Sequence, residues 1–150
     1  MKIQYLKHNQ IDISKWDECI SRSKNRLVYA QSWYLDLVCS DWDALVADNY
    51  KAVMPLTHGL KYGINYLYQP FFSQQLGVFS TSEPNKQMLE AFIKAIPAKF
   101  RFIDINLNKA NNFNLEGFQI RKNINIELKL NKPYDEITSG YSNNTKRNIK

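Results

Sequence analysis

Trp42-Asp43-Ala44-Leu45-Val46-Ala47 and Tyr50-Lys51-Ala52-Val53-Met54-Pro55-Leu56, separated by Asp48-Asn49, are the stretch on which the fold turns. Two apolar runs of strand length bracket two residues that tolerate the positive φ of a tight turn, so the stretch predicts a β-hairpin. Pro55 has no amide to give a ladder and belongs at a strand end or a bulge. Gly59 and Gly63 punctuate the next connection, and Ile64-Asn65-Tyr66-Leu67-Tyr68 supplies a third strand. Residues 42–68 thus read as an antiparallel meander.

On the N-terminal side, Ile3, Tyr5 and Lys7 alternate with polar residues as a short edge strand does. Asp12 is placed to cap a helix whose Ile13, Trp16, Cys19 and Ile20 share one face. Residues 27–31 read as an extended link, and Ser32 as the cap of a second helix carrying Trp33, Tyr34, Leu37 and Val38. On the C-terminal side, residues 81–84 predict a helix start, Met88, Leu89, Phe92, Ile93 and Ile96 its apolar stripe, and Pro97 its end. Ile103, Ile105 and Leu107 alternate with Asp104 and Asn106 in a further strand. Residues 108–117 read as a polar loop. Ile124, Ile126, Leu128 and Leu130 alternate with Asn125, Glu127 and Lys129 in a long last strand. The order β-α-α-β-β-β-β-α-β-β gives the α+β class, with helices packed on a mostly antiparallel sheet.

Composition narrows the function classes. At 150 residues, 44% hydrophobic and 23% charged, the chain suits one domain with one core. Residues 1–132 form that domain, and residues 133–150 a basic helical tail with a short helix at Tyr134–Thr138 and a second one capped by Ser142. The net charge of +6 owes half its value to Lys146, Arg147 and Lys150, with no acid after Glu136. The tail has no aromatic interleaving beyond Tyr141, so specific nucleic-acid binding is not expected. No apolar run is long enough for a membrane span or a signal peptide, which predicts a cytoplasmic protein. Cys19 and Cys39 read as reduced core thiols. No GxSxG or HExxH pattern occurs, and His8 and His58 stand apart without ligand spacing, so metal catalysis is disfavoured and His58 reads as a solvated turn residue.

The functional candidates cluster in Gln69-Pro70-Phe71-Phe72-Ser73-Gln74-Gln75-Leu76-Gly77-Val78-Phe79-Ser80. Gln69, Phe71, Phe72, Gln74 and Gln75 suit the wall of a groove, with aromatic faces for an apolar or sugar-like ligand and amides to orient it. Glutamines beside a core strand need partners, and backbone pairing is the competing account. Trp33 and Tyr34 pose the same choice between ligand stacking and helix packing. Asp104, opposite the apolar face of its strand, reads as solvated or ion-paired rather than as a general base.

The chain resembles the N-terminal part of a FemAB-like member of the GNAT acyltransferase superfamily. The resemblance is carried by Gln31-Ser32-Trp33-Tyr34-Leu35-Asp36, the hairpin of residues 42–56, Gln69-Pro70-Phe71-Phe72-Ser73-Gln74-Gln75-Leu76-Gly77, and Tyr141-Ser142-Asn143-Asn144-Thr145-Lys146-Arg147-Asn148-Ile149-Lys150. It implies a GNAT-like α+β fold and a protein of two such halves, with the second expected to begin where this chain ends. The first half then shapes the acceptor groove through Gln69, Phe71, Phe72, Gln74, Gln75, Trp33 and Tyr34, and is inactive alone. The acceptor is an amine-bearing small molecule or a peptidoglycan-precursor-like compound, and acyl-CoA or aminoacyl-tRNA is the donor of the full enzyme. Gln74-Gln75-Leu76-Gly77-Val78-Phe79 partly matches the family's Q/R-x-x-G-x-G/A pyrophosphate loop, which makes Gly77 a cofactor candidate; Phe79 departs from it, and a buried strand entered through a bulge at Gly77 is the other reading. A freestanding, non-catalytic binding or scaffold domain is the alternative function. Homodimerisation through an exposed apolar face is expected of an isolated half.

Overall fold

A four-stranded sheet is built from β1 (Ile3–Leu6), β2 (Asp43–Ala47), β3 (Ala52–Leu56) and β6 (Phe79–Ser80), in that spatial order and antiparallel throughout. A second sheet contains β4 (His58–Lys61), β5 (Ile64–Tyr68) and β7 (Phe100–Asp104), with β4 antiparallel and β7 parallel to β5. These elements belong to a computed structural model that describes residues 1–128 and 131–149. The helices are α1 (Ile13–Arg22), α2 (Ser32–Val38), α3 (Lys86–Lys94), α4 (Tyr134–Ser139) and α5 (Asn143–Asn148). The chain divides into two compact units, Met1–Phe118 and Gln119–Lys150. The class is α+β, with two mostly antiparallel sheets among the described residues.

The hairpin forms as its sequence predicts, but its loop is wider. Ala47 pairs with Ala52, so the loop runs from 48 to 51, and Tyr50 joins Asp48 and Asn49 at positive φ (65°, 47° and 56°). The meander does not stay in one sheet. Thr57 breaks it: its carbonyl accepts from the Tyr68 amide at 3.1 Å and its hydroxyl donates to the Tyr68 carbonyl at 2.6 Å, so the chain leaves the first sheet at Leu56 and enters the second at His58. Pro55 is tolerated inside β3 because β6 pairs only with Ala52 and Val53, leaving the ladder on that side open at Pro55.

β2 and β3 are buried along their whole length, so the first sheet is covered on both faces. On one face Ala44, Val46 and Val53 meet Trp16, Cys19 and Ile20 of α1 and Leu35 of α2. On the other, Leu45, Met54 and Leu56 meet Leu89, Phe92 and Ile93 of α3 together with Leu67 and Phe100 of the second sheet. α1 and α3 are capped by side chains, Asp12 accepting from the Lys15 amide at 3.1 Å and Asn85 from the Met88 amide at 2.9 Å. Asn85 therefore starts α3, not residues 81–84. Ile13 lies 40% exposed and does not join the packed face of α1.

Other expectations change. Residues 27–31 contain a 3-10 turn, Val28–Ala30. α2 is capped not by Ser32 but from outside, because the Ser32 amide and hydroxyl both bond the Asp17 carboxylate, at 2.8 and 2.6 Å. Its core residue is Leu35, while Trp33 and Leu37 are 54% and 78% exposed. β7 ends at Asp104, and Leu107 instead makes an isolated parallel bridge with Leu76.

The unit Gln119–Lys150 is simpler. Residues 119–128 carry no regular secondary structure, and Ile124, Ile126 and Leu128 are exposed. A strand needs a partner for its amides, and no other strand exists among the described residues of this unit. Lys129 and Leu130, the expected end of that strand, and Lys150 lie outside the described residues. α4 forms, and α5 is capped as expected by Ser142, whose hydroxyl accepts from the Thr145 amide at 3.1 Å.

Candidate functional site

Pro70, Phe71, Phe72 and Ser73 make a β-turn closed by the Ser73 amide on the Pro70 carbonyl at 3.1 Å. Phe72, its third residue, has φ +67°. That is the position of a type II turn which favours glycine, and a phenylalanine there is under backbone strain. Three bonds hold it. Gln69 donates through Nε2 to the Ser73 carbonyl at 2.8 Å, and its Oε1 accepts from the Asn106 amide at 3.0 Å. From α2, the Tyr34 hydroxyl donates to the Phe72 carbonyl at 2.6 Å.

The two sets of candidate residues, distant in sequence, therefore meet. Tyr34 lies edge-on to Trp33 and to Tyr29, with ring centroids 5.6 Å apart in both pairs. Phe71 and Phe72 are each 88% exposed. We refer to these two rings, on a turn tied to α2 and to the segment following β7, and the exposed Trp33 beside Tyr34 as the aromatic shelf. Gln69 is not a free ligand-binding amide, since both ends of its side chain are engaged by backbone. Gln74 is exposed and Gln75 half-buried. At the end of the turn, Ser73 is buried and its hydroxyl has no hydrogen-bond partner among the described residues.

Gly77 is occupied in a different way. Its φ is +98°, and a Cβ there would lie 2.4 Å from Asn111 Oδ1 and 2.9 Å from Leu107 Cδ2. Asn111 Oδ1 accepts the Val78 amide at 2.7 Å, and Asn111 Nδ2 donates to the Val78 carbonyl at 3.2 Å. Asn108 Nδ2 donates to the Leu76 carbonyl at 2.9 Å, and Asn25 bonds the Val78 carbonyl at 2.8 Å and the Ser80 amide at 3.3 Å. Three asparagine side chains thus serve residues 76–80 as a neighbouring strand would. The space and the Val78 amide that a pyrophosphate loop would use belong to Asn111, and α3 begins only at Lys86. Gly77 is where the entry to a buried strand makes its bend. Asn108 and Asn111, in a segment that reads as a polar loop, are both buried.

A second polar centre has no sequence signature. Asp43, at the start of β2 and 6% exposed at its side chain, has His58 Nε2 at 3.2 Å and Lys99 Nζ at 3.5 Å from Oδ2. The Tyr5 hydroxyl donates to the same oxygen, and the His8 amide to Oδ1 at 3.1 Å. Lys99 Nζ also lies 2.6 Å from the Tyr5 hydroxyl and over the Phe100 ring. His58 is therefore not a solvated turn residue but a largely buried one at the head of β4. Its Nε2 lies near Asp43 without the geometry of a hydrogen bond. Burial first, and then the bond to Asp43, push the Tyr5 hydroxyl above the ordinary phenol range. This centre joins β1, β2, β4 and the start of β7, and reads as a tie between the sheets.

No family model, curated protein or solved structure matches the chain. No helix among the described residues is long and apolar enough to cross a membrane. No cluster of three potential metal-ligating side chains occurs among them.

Proposed function

We propose that this chain is the acceptor-substrate-binding half of a FemAB-like N-acyl or aminoacyl transferase of GNAT-like fold, with the aromatic shelf as its acceptor surface. The observation that carries the proposal is Phe72 at φ +67° with its ring in solvent. Strain of this kind persists only where the surroundings impose it, and exposing two adjacent aromatic rings brings no folding gain. Together these point to a surface kept for a ligand. The reaction would be attack of an amine on a thioester or aminoacyl ester, in which this half orients the acceptor. The donor, acyl-CoA or aminoacyl-tRNA, falls to the other half. The shelf residues Phe71, Phe72 and Trp33, the neighbouring Tyr34, Gln74 and Gln75, and Gln69, which holds the turn, include no carboxylate, imidazole or thiol, which also suits the second reading, a non-catalytic binding domain.

Calorimetric titration with a lysine-containing peptidoglycan stem peptide tests the proposal, with acetyl-CoA run alongside. We expect the peptide to bind and Phe71→Ala/Phe72→Ala to weaken it at least tenfold, about 1.4 kcal/mol. Phe72→Gly should leave stability unchanged or raise it by up to about 1 kcal/mol, because glycine relieves the strain, while binding falls. Absence of peptide binding, or binding indifferent to both variants, overturns the reading. Tight acetyl-CoA binding abolished by the shelf variants would move the shelf from acceptor to donor.

A further inference from the structure

The tip of the β2–β3 hairpin, the flank of α1 from Lys15 to Arg22 and Thr81 after β6 line an open cavity of about 350 Å³. This is the lower end of the range of small-ligand sites. Lys15 and Arg22, seven residues apart in α1, reach it from one side, and Lys51 from the hairpin. Three cations from two elements converge there against one acid in the lining, Glu18. In the free protein two of the cations are engaged along the helix, Lys15 with Asp12 at 3.3 Å and Arg22 with Glu18 at 2.9 Å. Both are exposed pairs of the weak kind and yield readily to a better anion. Among the described residues, Lys51 has no carboxylate at ion-pair distance.

The wall facing α1 is costly to build. Asp48, Asn49 and Tyr50 are three successive non-glycine residues in the left-handed region, and for an aromatic side chain such as Tyr50 this is a true outlier. The strained tip is fixed at both ends. The Tyr50 hydroxyl accepts from the Asp12 amide at 2.7 Å, while the Lys51 carbonyl accepts from the Thr81 amide at 3.1 Å and hydroxyl at 3.2 Å. The result presents Asn49, Tyr50 and Lys51 to the cavity on a frame bonded at both ends. We propose that this cavity binds a small phosphate-bearing anion, with Lys51 as its main charge partner and Lys15 and Arg22 turning onto it from α1. The site stands apart from the aromatic shelf, and none of its lining residues belongs to it.

Amide spectra of the full chain, titrated with inorganic pyrophosphate and with glucose 6-phosphate at ionic strength held constant with potassium chloride, test this. The expected result is saturable shifts centred on Asn49, Lys51 and Thr81, weakened about tenfold by Lys51→Ala and abolished by Lys51→Glu. Lys94→Ala, on α3, should leave the affinity unchanged. The spectra themselves report whether each variant is folded. Shifts that do not saturate, or equal weakening by Lys51→Ala and Lys94→Ala, would reduce the effect to general charge attraction and sink the proposal. Citrate binding as tightly as pyrophosphate would overturn its phosphate class.

Discussion

Gly77 and Asn111 show how one residue can decide a local reading. The glycine is required twice over, by its φ of +98° and by the 2.4 Å that a Cβ would leave to Asn111 Oδ1. Gly77→Ala should therefore lower unfolding free energy by about 2 kcal/mol or more in urea denaturation. Asn111→Ala leaves the buried Val78 amide unpaired, at a cost of about 1–3 kcal/mol. Because the alanine at 77 clashes with the side chain removed at 111, the double variant should lose less than the two single losses summed. Simple additivity would show that the close approach is not what excludes a side chain. Cys19 makes a second residue-scale case. Burial, its largest cause, pushes the thiol up to about 11. Iodoacetamide at pH 8 should leave it unmodified in the folded protein and label it in urea; rapid labelling without denaturant would contradict its burial.

Among the elements, α2 depends most on its neighbours. At seven residues it is too short to persist alone, and its first turn is held by Asp17 of α1 rather than by its own cap. Asp17→Ala should cost about 1–2 kcal/mol and speed amide exchange across α2 more than across α3. Equal protection in both helices would argue against that dependence. The consequence reaches the shelf, since Tyr34, on α2, bonds the Phe72 carbonyl. Loosening α2 should therefore weaken the proposed peptide binding as well as stability. α1 and α3 were legible from their stripes, because three- and four-residue spacing of large apolar groups is a local signal. The orientation of α2 was not legible, because Trp33 and Leu37 look like core residues until the position of Leu35 against the sheet is known.

Across the unit Met1–Phe118, the two sheets are joined at Thr57 and around Asp43. Asp43→Ala removes the acceptor of the Tyr5 hydroxyl and of the His8 amide, and should destabilise by about 1–3 kcal/mol. The pH dependence has a definite sign at the alkaline end. Tyr68 is pushed from 10.0 up to about 12, by burial first and then by its bond to Cys39, and Tyr5 is raised further in the same direction. A phenol whose folded pKa is raised contributes stability that is complete below pH 10 and is lost as pH rises through the folded value. Unfolding free energy should therefore fall above pH 10, and Tyr68→Phe should make that fall shallower. A profile flat to pH 11.5 would contradict the burial of both hydroxyls.

The α+β class, the hairpin of residues 42–56, the stripes of α1 and α3 and the caps at Asp12 and Ser142 were written in local order, because alternation, helical spacing and turn chemistry act over a few residues. The break between sheets at Thr57, the parallel placement of β7, the burial of Asn108, Asn111 and Asp43, and the bond from Tyr34 to the Phe72 carbonyl came only with the folded chain. Each depends on partners 11 to 83 residues away, and no local pattern in the chain says which distant amide or carboxylate will complete a buried bond. Residues 124–128 mark the same boundary from the other side. Their alternation is as clear as that of any strand here, yet a strand exists only where a second backbone accepts its bonds.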